Sequence, residues 1–241
     1  ANATLNVAQT MKVAQTADIE GALSANATLT VAQTSDLEGV VTCNAAVDAE
    51  ATLKVGQTAD IEGALSANAT LNVAQTMKVA QTADIEGHLS ANAQLLVAQT
   101  ADLEATLKVG QTADVEGALS ANATLTVAQT ADVEGALSAN ATLTVAQTSD
   151  LEGVVTCNAA VDAEATLKVG QTADVEGALS ANATLTVAQT SDLEGVVTCN
   201  SAVDAEATLK VGQTADIEGA LSANATLNVA QTMKVAQTAD I

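Results

Sequence analysis

The chain has 241 residues and a formal charge of −22, from 29 Asp and Glu against seven Lys; it has no Phe, Trp, Tyr or Pro, yet 48% of it is hydrophobic. Aromatic side chains usually supply much of a core's buried area, so this core has to be thin and aliphatic, while the hydrophobic content excludes a disordered chain. The charge opposes binding to nucleic acid or anionic lipid, and no apolar run reaches the roughly 18 residues of a membrane span.

Taken in chain order, the elements repeat every six residues. From Leu5 the sequence divides into hexads without insertion or deletion, residues 5–10, 11–16, 17–22, 23–28, 29–34 and onward, 39 in all to residue 238. Slots one and three are apolar: Leu, Met, Ala, Val or Ser first, then Val, Ile, Leu, Ala or Cys. Slot two is polar except at Leu96, and slot four is Ala, Glu, Asn or Gly. Alternation of this kind is the period of a β-strand. Slots five and six, Gln, Gly or Ala followed mostly by Thr, Ala or Val, predict a tight corner. A helix gains no consistent face from a six-residue period, whereas a short strand plus a corner, repeated, winds a solenoid.

The hexads resemble the hexapeptide-repeat left-handed β-helix, whose pattern is an aliphatic residue, then Gly, Ala, Glu or Asp, two free positions, a small residue and a free one. Val13-Ala-Gln-Thr-Ala-Asp, Val31-Ala-Gln-Thr-Ser-Asp and Val55-Gly-Gln-Thr-Ala-Asp fit it. Leu23 and Leu53 stand where that family prefers a small residue, which leaves the handedness open. The expected fold is all-β: a parallel β-helix (β-solenoid) of strict six-residue repeats with a triangular cross-section, continuous over residues 1–241 and read as a segment of a longer fibre protein.

Two registers are compatible with three hexads per turn. A lone chain stacks residue i on i+18; three interleaved chains, as in the trimeric β-helix shafts of viral tail fibres and spikes that the sequence also resembles, set i beside i+6 of a neighbour. At the i+6 spacing every Lys meets an Asp, as Lys12 meets Asp18 and Lys54 meets Asp48 and Asp60, and no slot-two Asp meets another. At i+18, Asp18 falls on Asp36 and Asp84 on Asp102. Like charges directly opposite in a sheet destabilise it. A 42-residue block linking Cys157 to Cys199 is seven hexads, a length that rotates its faces in a single-chain coil. Both points favour the interleaved homotrimer over the single-chain coil. With strands about 4.8 Å apart, the trimer would be roughly 190 Å long and the single-chain coil about 65 Å.

Of the 29 acidic residues, 28 form Asp-x-Glu pairs. Asp18 with Glu20, Asp48 with Glu50 and Asp114 with Glu116 are the candidate Ca²⁺ or Mg²⁺ ligands, because hard cations take carboxylate oxygens. Against that stands a solvated acidic face that keeps the protein soluble, and two carboxylates alone make a poor site. Cys43, Cys157 and Cys199 share the slot-three position of the same hexad type and read as core thiols without an assigned function. His88 is alone in a corner slot and lies in no ligand cluster. The acyltransferases built on hexapeptide repeats work through a His and carry loops that shape a cleft; no loop interrupts these hexads. Outward Thr pairs such as Thr28/Thr30 and Thr124/Thr126 raise ice binding, but they are few, and most Thr lie at corners. Asn26-Ala-Thr28 and its copies match a glycosylation acceptor, and Asn also suits a turn.

No enzyme activity or cofactor is expected. The expected function is a fibre shaft or rigid spacer presenting a distal binding domain, as in a phage tail fibre or surface adhesin, in an extracellular, cell-surface or virion setting. Expected partners are further copies of the chain, with divalent cations as possible ligands and neither nucleic acid nor membrane insertion. A self-assembling filament subunit is the first alternative and an ice-binding β-helix the second.

Overall fold

The computed structural model of the chain describes residues 5–15 and 17–240. These residues form β-strands and corners with no helix. Strands such as Leu23–Ala25, Leu29–Val31 and Ser35–Leu37 occupy slots one to three of successive hexads. Slots four to six make the corner, so each strand is one residue shorter than the alternation alone suggests. The alternation fixes which side chains face inward. In both units described below, slots one and three are buried from Ile19 to Ala223.

Two compact units divide the chain, residues 1–121 and 122–241. In the first, the described strands lie in three parallel sheets that begin with Leu5–Val7, Met11–Val13 and Ala17–Ile19. In the second, the three sheets begin with Leu125–Val127, Ala131–Val133 and Leu137–Ala139. Consecutive strands pass to the next sheet in turn, so one coil is three hexads. This is a parallel β-solenoid with a six-residue repeat, consistent with the hexapeptide-repeat class.

The register is i to i+18 within the chain: Leu23 pairs with Val41, Ser24 with Thr42 and Ala25 with Cys43, and in the second unit Leu143 pairs with Val161. This is the register of the single-chain coil; the favoured interleaved homotrimer, with i beside i+6 of a neighbouring copy, concerns contacts between chains, and the structure describes one chain. The chain closes its own coil, and its backbone explains how. The slot-one N–H donates to the slot-six carbonyl of the next coil, as Leu23 does to Val40 at 2.9 Å. The slot-four N–H donates to the slot-three carbonyl of the previous coil, as Asn44 does to Ala25 at 3.1 Å. Strand and corner are therefore tied to the coils on either side.

Corners stack as closely as strands do. A Cβ on Gly153 would overlap the backbone carbonyl of Gly135 one coil earlier, so only glycine fits there. The glycine's value at this position is close approach rather than an unusual backbone angle, since no described residue has positive φ.

Three slot-one positions break the apolar rule of the core. Ser35, Ser149 and Ser191 occupy slot one fully buried, and none of their hydroxyls has a hydrogen-bond partner. A buried hydroxyl without a partner costs about 1–3 kcal/mol. Ser149 lies between Ala131 and Leu167 in its sheet, so an alanine fits the same layer. Ser149→Ala is expected to stabilise the protein by about 1–2 kcal/mol, measured by denaturant unfolding with the slope unchanged; a loss of stability would show that the hydroxyl is satisfied.

Candidate functional site

The outward slots two and four of the solenoid carry charged and amide side chains in a regular pattern. Slot two faces out at the middle of each strand and slot four at the first corner residue, about 7 Å away along the chain. An Asp-x-Glu hexad thus shows two carboxylates on one edge, and the coil above or below decides what they meet.

The six carboxylates singled out by sequence lie on three different sheets of the first unit. Asp18 and Glu20 are exposed in the sheet that begins at Ala17, where Asp18 pairs with Asp36. Asp48 stands between Thr30 and Ser66 in the sheet that begins at Met11. Asp114 follows Leu96 in the sheet that begins at Leu5. No two of these pairs are brought together. Among the described residues no three His, Cys, Asp or Glu side chains are grouped so as to hold a metal ion.

What the fold does bring together is Lys and Asp one coil apart. Lys54 lies 2.9 Å from Asp36, Lys168 2.9 Å from Asp150, Lys210 2.7 Å from Asp192, Lys234 3.1 Å from Asp216 and Lys78 3.7 Å from Asp60. All these partners are 18 residues apart rather than six. Hydrogen bonds from Lys54, Lys168 and Lys210 to their aspartates hold these three ammonium groups above the ordinary lysine value. The pairs are solvent-exposed, where an ion pair contributes little by itself. Their position matters more. Three of the Asp-on-Asp steps, Asp18–Asp36, Asp132–Asp150 and Asp174–Asp192, are each followed by a Lys on the next strand: Lys54, Lys168 and Lys210. The fourth, Asp84–Asp102, lies between Ser66 and Ser120 instead.

A shallow trough crosses the first unit where Gly56 and Ala74 take the slot-four position, bordered by Asp36, Glu38, Lys54, Asn72 and Ser90. Lys54 there is already engaged with Asp36. The neutral columns are engaged as well. Asn140 donates to the Asn122 side-chain oxygen at 2.9 Å, Asn158 to Asn140 at 3.2 Å and Asn200 to Asn182 at 3.3 Å. Sequence reasoning read these residues as corner formers and missed the ladders. The signal was present, as Asn in slot four recurring at 18 residues. His88 is exposed at its corner, and its Nδ1 accepts a hydrogen bond from the Thr106 N–H at 3.3 Å, again one coil on. Of the outward threonines, Thr126 and Thr144 pair directly, while Thr30 and Thr186 pair with Asp48 and Asp204.

The cysteines are free and fully buried in slot three. Burial pushes the Cys43 thiol up to about 11 and those of Cys157 and Cys199 up to about 12. The thiolate is the reactive form, so these are filling groups of the core.

Two outcomes follow from this surface. Ser120→Lys gives Asp84–Asp102 the flanking cation that the other three steps have, and is expected to raise the melting temperature by roughly 1–3 °C at low salt. The gain should fade near 1 M salt, where charges are screened within about 3 Å; a salt-independent gain would assign the effect to packing. A disulfide reagent at pH 8 should leave all three thiols of the native protein unlabelled and titrate three after denaturation. Rapid native labelling would place a cysteine at the surface.

No known protein family, no curated protein and no solved structure matches the chain, so its geometry carries the functional reading.

Proposed function

We infer that the chain is a structural element without enzymatic activity: a fibre shaft or rigid spacer that holds a binding domain away from a surface. The setting is that of a phage tail fibre or a surface adhesin, outside the cell, on its surface or on a virion. The observation that carries the reading is the unbroken hexad. Among the described residues no corner is lengthened into a loop that could shape a substrate cleft. The outward residues form short polar columns that pair with one another instead of converging on a reacting centre.

Such a coil resists bending for a physical reason. Within each unit, strands away from the ends are hydrogen-bonded to the coils before and after them, and inward side chains fill the centre between them. Bending stretches the bonds on one side of several coils at once. In a quasi-one-dimensional repeat, stability is approximately a sum over repeats and their nearest-neighbour contacts, so each added coil brings its own stabilising contacts. The acidic outer surface adds mutual repulsion between shafts.

Stiffness is the property to measure. Spin labels at Thr30→Cys and Ser120→Cys sit five strands apart in one sheet of the first unit, about 24 Å at the strand spacing. Labels at Thr126→Cys and Thr198→Cys sit four strands apart in the second, about 19 Å. Pulsed dipolar spectroscopy should return one narrow distance for each unit, unchanged by dilution. A broad distribution in either would describe a flexible tether and remove the spacer reading.

A further inference from the structure

Slot two is polar in every hexad but one, and the exception is Leu96. Its strand, Leu95–Val97, lies between Met77–Val79 and Ala113–Val115 in one sheet of the first unit. Leu96 is half-buried there, with Lys78 directly on one side and Asp114 directly on the other. Elsewhere a lysine and an aspartate on adjacent strands bridge, as Lys54 does with Asp36. Leu96 prevents this by holding Lys78 and Asp114 two strands apart, about 9.6 Å. Lys78 has Asp60 on its other side, but at 3.7 Å, against 2.7–3.1 Å in the four other pairs described above.

Slot four beside Leu96 is small. Ala80 and Ala98 stand where many hexads carry Glu or Asn, and with Lys78, Leu96, Asp114 and Glu116 they border a depression of about 180 Å³. Small-molecule sites start at roughly 300 Å³, so this depression suits a single side chain. The charges of Lys78, Leu96 and Asp114 sum to zero, in a chain whose net charge is −22. One apolar side chain, one shallow hole and one charge of each sign therefore stand together on the same face.

We propose that this patch is a self-association surface, occupied by the same patch on a second copy of the chain, face to face and with the coils running in opposite directions. A two-fold axis parallel to the strands at Leu96 produces the arrangement. It sets Leu96 against Leu96, Lys78 against Asp114 and Asp114 against Lys78, the reciprocal contacts of an isologous interface. Sheets packed face to face lie about 10 Å apart, a gap that a lysine and an aspartate side chain span together. Glu116 falls opposite Ala80, so a second carboxylate stands near the same lysine. The other face-to-face choice, a two-fold axis along the solenoid, sets Lys78 on Lys78 and Asp114 on Asp114. Like charges so juxtaposed oppose it.

The inference does not depend on the spacer reading. Covering Leu96 and pairing Lys78 with Asp114 favour association, and the net charge of each copy opposes it. Salt separates the two effects. At about 0.15 M, charges more than roughly 8 Å apart are largely screened, which weakens the long-range repulsion more than the direct contacts. Three strands of one face cover far less than the about 1,200 Å² of a stable interface. The pair is therefore weak and short-lived, and a covalent trap is the way to see it.

Cross-linking of the full chain reads the arrangement. Lys78→Cys and Asp114→Cys variants are mixed in equal amounts at high concentration and about 0.15 M salt. A short thiol-to-thiol cross-linker that bridges the about 10 Å gap is added, and the dimers are resolved by intact mass. The native thiols are buried and do not compete. Positions 78 and 114 face each other only in the antiparallel pairing, whose second Lys78–Asp114 contact the mixture leaves intact. Heterodimers should exceed either homodimer at least about tenfold. Leu96→Ser in both variants, a residue slot two already carries at Ser24 and Ser66, should cut the heterodimer yield at least about fivefold with the circular dichroism unchanged. Lys78→Asp in the Asp114→Cys variant should lower the yield as well, and Asp114→Lys in the Lys78→Cys variant should then restore it. Heterodimers no more frequent than homodimers overturn the proposal. So does a yield indifferent to Leu96→Ser, or a charge exchange that restores nothing.

Discussion

The parallel hydrogen-bond ladder that joins each residue to the one 18 positions on governs this protein. Both faces of every strand follow from it. Inward, it stacks slot one on slot one and slot three on slot three, so Leu, Val, Ile and Ala fill the centre without an aromatic ring. Outward, it converts a spacing in sequence into a contact between side chains. Because the corners join the ladder through the slot-four N–H, insertion of a residue anywhere would shift the faces of all that follows. The absence of any such insertion over 39 hexads is the mark of that constraint.

The outer columns show the ladder acting on charge. The chain carries a net charge of −22, and among the strand pairs described within each unit four steps stack Asp on Asp. At an exposed slot the repulsion is screened by water and salt, and three of the four steps have a Lys on the following strand. The asparagine columns use the same spacing without charge: Asn140 donates to Asn122 and accepts from Asn158, and Asn200 donates to Asn182. Such columns satisfy these amides locally, one coil against the next.

The repeat, the β class, the inward slots and the buried cysteines were legible because each is a period-two or period-six statement, and the coil repeats it at every level. Which residues touch across coils was harder to read. Lys54 illustrates why: it has aspartates at six residues on both sides, Asp48 and Asp60, and another at 18, Asp36. Duplication of whole hexads supplies partners at both spacings, so the Lys–Asp pattern does not discriminate between registers. The structure takes Asp36. The buried serines escaped for a different reason. Ser in an apolar slot looks like a small filler, and only the packed core shows that its hydroxyl meets no partner.

The duplication pattern carries the last step. Residues 35–60 recur at residues 149–174 and, with Ser201 in place of Ala45, at residues 191–216. The last two copies are offset by seven hexads, so their strands Ser149–Leu151 and Ser191–Leu193 fall on different sheets of the second unit. A rotation of this kind counted against a single-chain coil when the sequence alone was considered. Yet both copies keep their contacts: Lys168 reaches Asp150 at 2.9 Å and Lys210 reaches Asp192 at 2.7 Å, each serine is buried in slot one and each cysteine in slot three. The faces are interchangeable because every slot meets the same backbone geometry on all three, and a contact between coils needs only the 18-residue spacing inside the copied block. A block longer than one coil therefore carries its own cross-coil contacts wherever it lands. The hexad is the unit of duplication, and the coil is the unit of contact; a single chain satisfies both.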